Sequence, residues 1–130
     1  MDKKKSILVV DDQKDMVEII EFSLKELNIP FTFHISSCFD GQAAKDKLML
    51  EKFDLVLMDY QMPALAGDEV LAVVRKKEGP NKETPFIFIS GFMEKLDLSP
   101  SENFEKVHFL DKPFEEEKLQ RLATILLAAS

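Results

Sequence analysis

Short runs of apolar residues recur along the chain, and most of them are rich in valine, isoleucine or phenylalanine. Four runs have no alternating polar positions and are too short for helices, which is typical of strands buried on both faces. They are Ser6–Val10, Leu55–Met58, Phe86–Ile89 and Val107–Leu110. Between Phe31 and Ile35 apolar and polar residues alternate, as in a half-buried strand. The pattern therefore predicts five strands.

Segments with apolar residues three or four positions apart separate these strands, and this spacing predicts amphipathic helices. Each predicted helix has a set of residues expected to face inward. These sets are Met16, Ile19, Ile20, Leu24 and Leu27; Ala43, Ala44, Leu48 and Leu50; Val70, Leu71, Val73 and Val74; and Leu119, Leu122, Ile125 and Leu126. Together with the strands, they predict a regular alternation of strands and helices.

Turn and capping residues set the expected limits of these helices. Pro30 ends the first helix, an Asp-Gly turn at position 40 precedes the second, and basic residues 75–77 close the third. Ser99, Pro100 and Glu102 form a helix-start pattern between the last two strands. The final helix is expected to open on Pro113, with glutamates in its first turn.

The alternation predicts an α/β fold in which a parallel sheet is covered by helices on both faces. At 130 residues the chain most simply forms one domain over residues 1–130. Its content of 45% hydrophobic and 32% charged residues is ordinary for a globular protein. We therefore expect a conventional hydrophobic core.

Charge and cysteine content exclude several classes of function. The net charge of −7 argues against a nucleic-acid-binding surface and favours a bound cation or a partner with a basic patch. Cys38 is the single cysteine, which excludes an internal disulfide. No apolar run reaches the ~20 residues of a membrane span, and no signal peptide is present. These features predict a cytoplasmic protein without direct membrane contact.

Polar residues stand where four of the predicted strands end. They are Asp11 and Asp12 after the first strand, Asp59 after the third, Ser90 after the fourth and Lys112 after the fifth. In open parallel sheets the site lies at the carboxyl ends of the strands, so these side chains are expected to converge. Each residue alone could be an ordinary turn or capping residue, but together they predict a site.

Three neighbouring carboxylates repel one another unless a cation lies among them. Oxygen ligands without histidine or cysteine favour Mg²⁺ or another hard divalent cation over zinc. With such an ion Asp59 can remain ionised and act as a nucleophile that forms an aspartyl phosphate. Ser90 and Lys112 could then contact the phosphoryl oxygens.

At these residues the sequence resembles the receiver domain of two-component response regulators, in particular the single-domain chemotaxis-type regulators. The likeness covers essentially the whole chain. It includes the acidic pair, the DG turn, the segment LVLMDYQMP, Ser90 followed by Gly91, and LDKPF. The resemblance implies a flavodoxin-like (βα)5 fold, a doubly wound five-stranded sheet with strand order 2-1-3-4-5.

The resemblance also implies a role for each residue of the acidic cluster. Asp59 would be the phosphoacceptor and a metal ligand. Asp12 would bind Mg²⁺ directly, Asp11 would bind it through water or act as a neighbouring charge, and the backbone carbonyl of Gln61 would complete the protein's ligands. This set is expected to hold the metal beside the acceptor.

Three further residues have implied roles in signalling. Ser90 and Lys112 would contact the phosphoryl group, and Phe109 would be the aromatic switch that turns inward when Ser90 is drawn to the phosphate. A cis peptide is expected at Lys112-Pro113. Because Phe109 replaces the tyrosine common in the family, only packing can carry its signal.

The implied function is a phosphorylation-controlled switch and not a metabolic enzyme. A histidine kinase or phosphotransfer protein would donate the phosphoryl group, and the domain would catalyse Mg²⁺-dependent phosphorylation and dephosphorylation of Asp59. A changed surface would then bind a downstream protein. The resemblance allows a homodimer through the face of strands four and five and the last helix. The chain would act alone or as part of a longer regulator.

Departures from the family pattern lead to two local expectations. Ala66 replaces a capping residue, so the third helix is expected to begin near Asp68. Phe92, two residues after Ser90, is bulky enough to hinder an attacking water. We therefore expect slow self-dephosphorylation, which Phe92→Ala should accelerate.

Three other classes of function are considered. An aspartyl-phosphate phosphohydrolase needs a second acid two residues after its nucleophile, where Gln61 stands here. A flavodoxin-like cofactor binder needs a phosphate-binding first loop, whereas this loop begins with Asp11 and Asp12. A receiver-like docking module that is never phosphorylated is the remaining alternative.

Overall fold

Five parallel strands form one sheet in the computed structural model, which describes residues 4–76, 78–91 and 106–129. They are β1 Lys4–Val10, β2 Thr32–Cys38, β3 Leu55–Asp59, β4 Phe86–Ser90 and β5 Val107–Asp111. Their order across the sheet is β2-β1-β3-β4-β5. This order confirms the predicted fold class.

Burial along the strands follows their place in the sheet. Every residue of β3 and β4 is buried, because these strands have neighbours on both sides and helices on both faces. The edge strand β2 alternates between exposed and partly buried positions, and three of the five residues of β5 are only partly buried. The alternation predicted for Phe31 to Ile35 therefore belongs to an edge strand.

Four helices of the described residues cover the two faces of the sheet. They are α1 Lys14–Lys25, α2 Gly41–Leu50, α3 Gly67–Lys76 and α4 Glu116–Ala129. Buried side chains of α1 and α4 share one hydrophobic cluster with one face, and those of α2 and α3 share a second cluster with the other. The helices hold the strands in place from both sides.

The inward faces of three helices differ from the predicted ones. Ile19 in α1 is 52% exposed, and Val17 is buried in its cluster instead. Ala43 and Leu50 in α2 are exposed. In α4, Ile125 is 58% exposed. Each of these helices has more apolar residues than can be buried against the sheet. The spacing of apolar residues alone therefore did not show which of them face the sheet.

The last helix begins three residues later than predicted. The backbone N–H groups of Lys118 and Leu119 donate to the carbonyl of Glu115, which makes Glu115 the cap and Glu116 the first helical residue. The Lys112–Pro113 peptide is cis, as predicted. The chain therefore turns at Pro113 before the helix begins.

Helix α3 begins at Gly67, one residue before the predicted position. Ala66 precedes the helix and has no side chain that can cap it. The Glu69 side chain accepts a hydrogen bond of 3.3 Å from the N–H of Ala66, so this backbone donor has a partner. The predictions for Lys77, for Phe92 and for the helix start at Ser99, Pro100 and Glu102 lie outside the described residues.

A buried asparagine joins α2 to the start of β3. The Asn81 amide donates at 2.6 Å to the carbonyls of Leu48 and Glu51, two acceptors at the end of α2. Its oxygen accepts from the N–H of Phe53 at 2.8 Å and from the hydroxyl of Thr84 at 2.9 Å. The sequence patterns did not reveal this network.

The helices of the described residues are all too short or too polar to cross a membrane.

Candidate functional site

Asp59 is the last residue of β3 and is 8% exposed. The next peptide remains tied to the sheet, because the N–H of Tyr60 donates to the carbonyl of Ile89 at 3.0 Å. The N–H of Gln61 donates to Asp59 Oδ1 at 3.1 Å, a side-chain turn that fixes this carboxylate. The second oxygen, Oδ2, is thereby oriented toward Lys112.

Asp11 lies fully buried after β1. Its N–H donates to the carbonyl of Cys38 at 3.3 Å, which extends the pairing of β1 with β2 by one residue. Its Oδ1 accepts a hydrogen bond of 2.9 Å from the N–H of Gln13. Asp12, next in the chain, is exposed. The turn into α1 therefore holds one acid inside and presents the other to solvent.

The carboxylates of Asp11, Asp12 and Asp59 each offer an oxygen within 4.8 Å of the others. The strand register explains this, because Val10 pairs with Met58 and both strands end beside each other. Three oxygen donors at this spacing suit a hard divalent cation that also keeps several waters. The residues therefore fit Mg²⁺.

Lys112 reaches across the sheet edge to this cluster. Its Nζ lies 3.1 Å from Asp11 Oδ2 and 3.2 Å from Asp59 Oδ2. Its own N–H donates to the carbonyl of Ser90 at 2.8 Å, which ties the end of β5 to that of β4. An ammonium between two carboxylates shows independently that positive charge is stabilised at this position.

The pKa values of this pair reflect burial and mutual attraction. Burial raises the pKa of Asp59, and the nearby Asp11 charge adds to this, although the Lys112 charge and the Gln61 N–H act in the opposite direction. Burial lowers the pKa of Lys112, but Asp59 and Asp11 outweigh it, so the pKa lies above its ordinary value. Lys112 is therefore firmly cationic.

The remaining predicted residues lie at the same edge of the sheet. Ser90 is 1% exposed at the end of β4, where it pairs with Asp111. Gln61 is exposed in the loop after Asp59. Phe109 is partly buried in β5, with its ring 5.7 Å from that of Phe88. The closest contacts thus join Lys112 to the buried acids, while Phe109 lies in the hydrophobic cluster behind them.

The loop after Asp59, residues 60–66, contains a tight turn. The N–H of Leu65 donates to the carbonyl of Pro63 at 2.8 Å, and Ala64 between them has a φ of 70°. This is a γ-turn, and its positive φ is unfavourable for a residue with a Cβ. The segment where the sequence departs most from the family pattern is therefore locally strained.

Two glycines allow close approach to this loop. A Cβ on Gly41 would overlap the carbonyl oxygen of Leu65, and one on Gly67 would lie 2.8 Å from the Phe88 ring. The N–H of Gly67 donates to the carbonyl of Tyr60 at 2.8 Å, which closes the loop. The Asp-Gly turn before α2 thus contacts the loop that follows Asp59.

Tyr60 is a residue at the site that the sequence reasoning missed. It is 7% exposed, and its ring lies 5.0 Å from that of Phe88 and 6.0 Å from that of Phe109. The sequence signal was an aromatic residue just after β3 and one in the middle of each of β4 and β5, where Phe88 and Phe109 are paired in the sheet.

Comparisons with known proteins agree with this geometry. The family model described as response regulator receiver domain matches residues 7–124. Response regulator ArlR of Staphylococcus aureus is 27% identical over 121 residues, which are 92% of this chain and 52% of ArlR. The chain therefore spans about half the length of this curated relative.

Solved structures have the same fold. The receiver domain of the Francisella response regulator 1452 is 26% identical, with a TM-score of 0.76 over 96% of this chain and 98% of that one. The receiver domain of the sensor histidine kinase PA1611 from Pseudomonas aeruginosa, described with magnesium in its active-site cleft, is 24% identical with a TM-score of 0.79 over the same shares. On the match of its residues 7–124, the chain belongs to the response regulator receiver domains of two-component systems.

Proposed function

We propose that Asp59 accepts a phosphoryl group from a histidine kinase or phosphotransfer protein and that the domain acts as a switch controlled by this modification. The observation that carries the proposal is the arrangement of Lys112, whose Nζ lies within 3.2 Å of both Asp11 and Asp59. A buried carboxylate with an adjacent fixed cation and two acidic neighbours is suited to phosphoryl transfer.

The transfer step forms one bond and breaks another. A carboxylate oxygen of Asp59 attacks phosphorus, the P–N bond of the donor phosphohistidine breaks, and the imidazole takes its electron pair. Lys112 exchanges a carboxylate contact for a phosphoryl oxygen, and the hydroxyl of Ser90 and the N–H groups after Asp59 donate to the others. These residues stabilise the charge that spreads over the phosphoryl group.

Asp11, Asp12 and Asp59 would hold Mg²⁺, together with the backbone carbonyl of Gln61. The carboxylate spacing of 4.8 Å or less supports this ligand set, as does the magnesium described for the PA1611 receiver domain. When bound, the ion neutralises the carboxylates and the phosphoryl oxygens. The chain's own contribution is to orient the Asp59 carboxylate through the N–H of Gln61 and to hold the Lys112 ammonium beside it.

The domain would also catalyse the loss of its phosphoryl group by water. Gln61 and Phe92 stand two residues beyond Asp59 and Ser90, and we propose that the bulk of Phe92 slows this hydrolysis. Phe92→Ala should shorten the phosphoryl lifetime, measured by intact mass over time, and an unchanged lifetime would contradict this role.

The surface of α1 supports a protein donor. Ile19 and Phe22 are 52% and 64% exposed, and the acids Asp15 and Glu18 lie beside them along a shallow cleft. Such a surface suits a partner with apolar residues bordered by basic ones. A downstream partner, or a second copy of the chain, would use the face of β4, β5 and α4.

The decisive experiment exposes the protein to acetyl phosphate with Mg²⁺ and measures its intact mass. One phosphate adduct is expected, absent in Asp59→Asn and after chelation of the metal. Asp111→Asn is the matched control, because this acid is also at a strand end but is exposed and outside the cluster. An unmodified wild type with every donor would instead support the docking-module alternative.

A further inference from the structure

Three aromatic rings connect the acceptor strand to the edge strand β5. Tyr60 follows Asp59 directly, and its ring meets Phe88 edge-on, with centroids 5.0 Å apart and planes at 83°. Tyr60 and Phe109 are 6.0 Å apart, and Phe88 and Phe109 are 5.7 Å apart. All three distances lie within the range of interacting aromatic pairs. The rings therefore form a closed triangle on three neighbouring strands.

The backbone of Tyr60 is fixed on both sides. Its N–H donates to the carbonyl of Ile89 in β4, and its carbonyl accepts from the N–H of Gly67, the first residue of α3. A Cβ on Gly67 would lie 3.1 Å from the Tyr60 Cα and 2.8 Å from the Phe88 ring. Gly67 therefore packs directly against Tyr60 and Phe88, with no room for a side chain between them. Because of this close contact, a shift of the loop after Asp59 is transmitted to the Tyr60 ring.

We propose that Tyr60 is a positioning residue that couples the state of Asp59 to Phe109 through ring packing. The inference rests on the proposed phosphorylation of Asp59. A phosphoryl group at Asp59 draws Lys112 away from the carboxylate and displaces the N–H of Gln61, which moves the loop that begins at Tyr60. Phe109 has no hydroxyl, and its ring packs against those of Tyr60 and Phe88, so ring packing carries the response to β5.

The test uses beryllofluoride with Mg²⁺, which stands in for the phosphoryl group, and follows backbone amide chemical shifts. Wild type should show shifts both at residues 59–61 and at residues 107–111. In Tyr60→Leu the shifts at 59–61 should persist. The fraction of molecules with altered shifts at 107–111 should fall roughly 2- to 10-fold, the effect of losing the pair that joins Tyr60 to Phe109.

Controls separate coupling from a structural role. Tyr60→Phe keeps the ring and should respond as wild type does. Phe33→Leu removes a partly buried ring from the distant edge strand β2 and should leave the response of β5 unchanged. Tyr60→Met is a second variant should Tyr60→Leu fail to fold, because it also lacks the ring. A full response at 107–111 in the variant without the ring, or a lost response in Tyr60→Phe, would overturn the inference.

The two proposals fail in different ways. If Asp59 is never phosphorylated, wild type shows no adduct with acetyl phosphate and no beryllofluoride shifts at residues 59–61. If only the coupling role is wrong, wild type responds in both regions and Tyr60→Leu does the same.

Discussion

Lys112 contacts residues at the ends of three strands, β1, β3 and β4. Its backbone N–H bonds to Ser90 and its side chain contacts Asp11 and Asp59, so Asp59 and Ser90 are both tied to Lys112. The ionised Asp59 is nevertheless costly, because burial raises its pKa by more than Lys112 lowers it. An ionised Asp59 within this acidic cluster thus lowers the stability of the fold.

This cost leads to a prediction about pH. The folded-state pKa of Asp59 lies above the unfolded value near 3.8. The free energy of unfolding therefore falls as the pH rises from the unfolded pKa to the folded one, because ionisation of Asp59 costs more in the folded state. Without metal, Asp59→Asn should therefore melt at a higher temperature than wild type at pH 7, and the difference should shrink toward pH 3.8.

Thermal melting in a chelator at several pH values checks this prediction. Asp111→Asn, which replaces an exposed acid at another strand end, is the control and should melt as wild type does at pH 7. If Asp59→Asn proves less stable than wild type at pH 7, the attraction between Asp59 and Lys112 is the larger effect.

Ala64 provides a prediction about backbone strain. Its φ of 70° disfavours any residue with a Cβ, so Ala64→Gly should leave stability unchanged or raise it by up to about 1 kcal/mol, and Ala64→Val should lower it by about 1–2 kcal/mol. In the exposed helical position 43, Ala43→Gly should instead destabilise by about 1 kcal/mol. Chemical denaturation measures all three, and equal losses for both glycine variants would contradict the strained turn.

Among the helices, α2 depends most clearly on a residue outside itself. Asn81 accepts and donates four hydrogen bonds that join the end of α2 to β3 and to Thr84. Asn81→Ala should destabilise the protein by about 2–4 kcal/mol, because it leaves buried carbonyls and an N–H without partners. Asn28→Ala, at an exposed position, should change stability by less than about 0.5 kcal/mol.

Denaturant midpoints of the two alanine variants test this comparison. Similar small losses for both would mean that water replaces the Asn81 amide at the end of α2.

The strands could be predicted from sequence far better than the helix faces. Runs such as Leu55–Met58 are buried on both sides, so their composition alone identifies them. Ile19 and Ile125 were placed inward because they fit the helical spacing, but Val17 and Leu127 occupy the limited space against the sheet. Which apolar residues remain exposed depends on how each helix is rotated, and periodicity does not determine that rotation.

The acidic cluster could be predicted because strand ends are visible in sequence. Asp11, Asp59 and Lys112 each follow an apolar run, and parallel strands bring those ends together. Tyr60 and Asn81 were missed for different reasons. The Tyr60 contacts cross three strands, and the partners of Asn81 are mostly backbone groups, which leave no trace in the sequence pattern.

For the molecule as a whole, the net charge is −7, and three of its carboxylates meet in one small area at the edge of the sheet. A second acidic area is the cleft beside α1, where Asp15, Glu18 and Glu116 lie near exposed apolar side chains. Like charges would oppose pairing of two copies through this surface, and a basic partner would not encounter that repulsion.

Tyr60 has an optical consequence. It is the only tyrosine in the sequence, and there is no tryptophan, so nearly all intrinsic ultraviolet fluorescence of the protein comes from the ring next to Asp59. Adding Mg²⁺ and acetyl phosphate should change this emission in wild type, and Asp59→Asn should lose the part that depends on the donor. Tyr60→Phe lacks the tyrosine and gives the background emission to be subtracted. Wild-type emission that does not change with the donor would show that the ring does not respond to Asp59. A change in this emission would allow the proposed phosphorylation of Asp59 to be followed without a label.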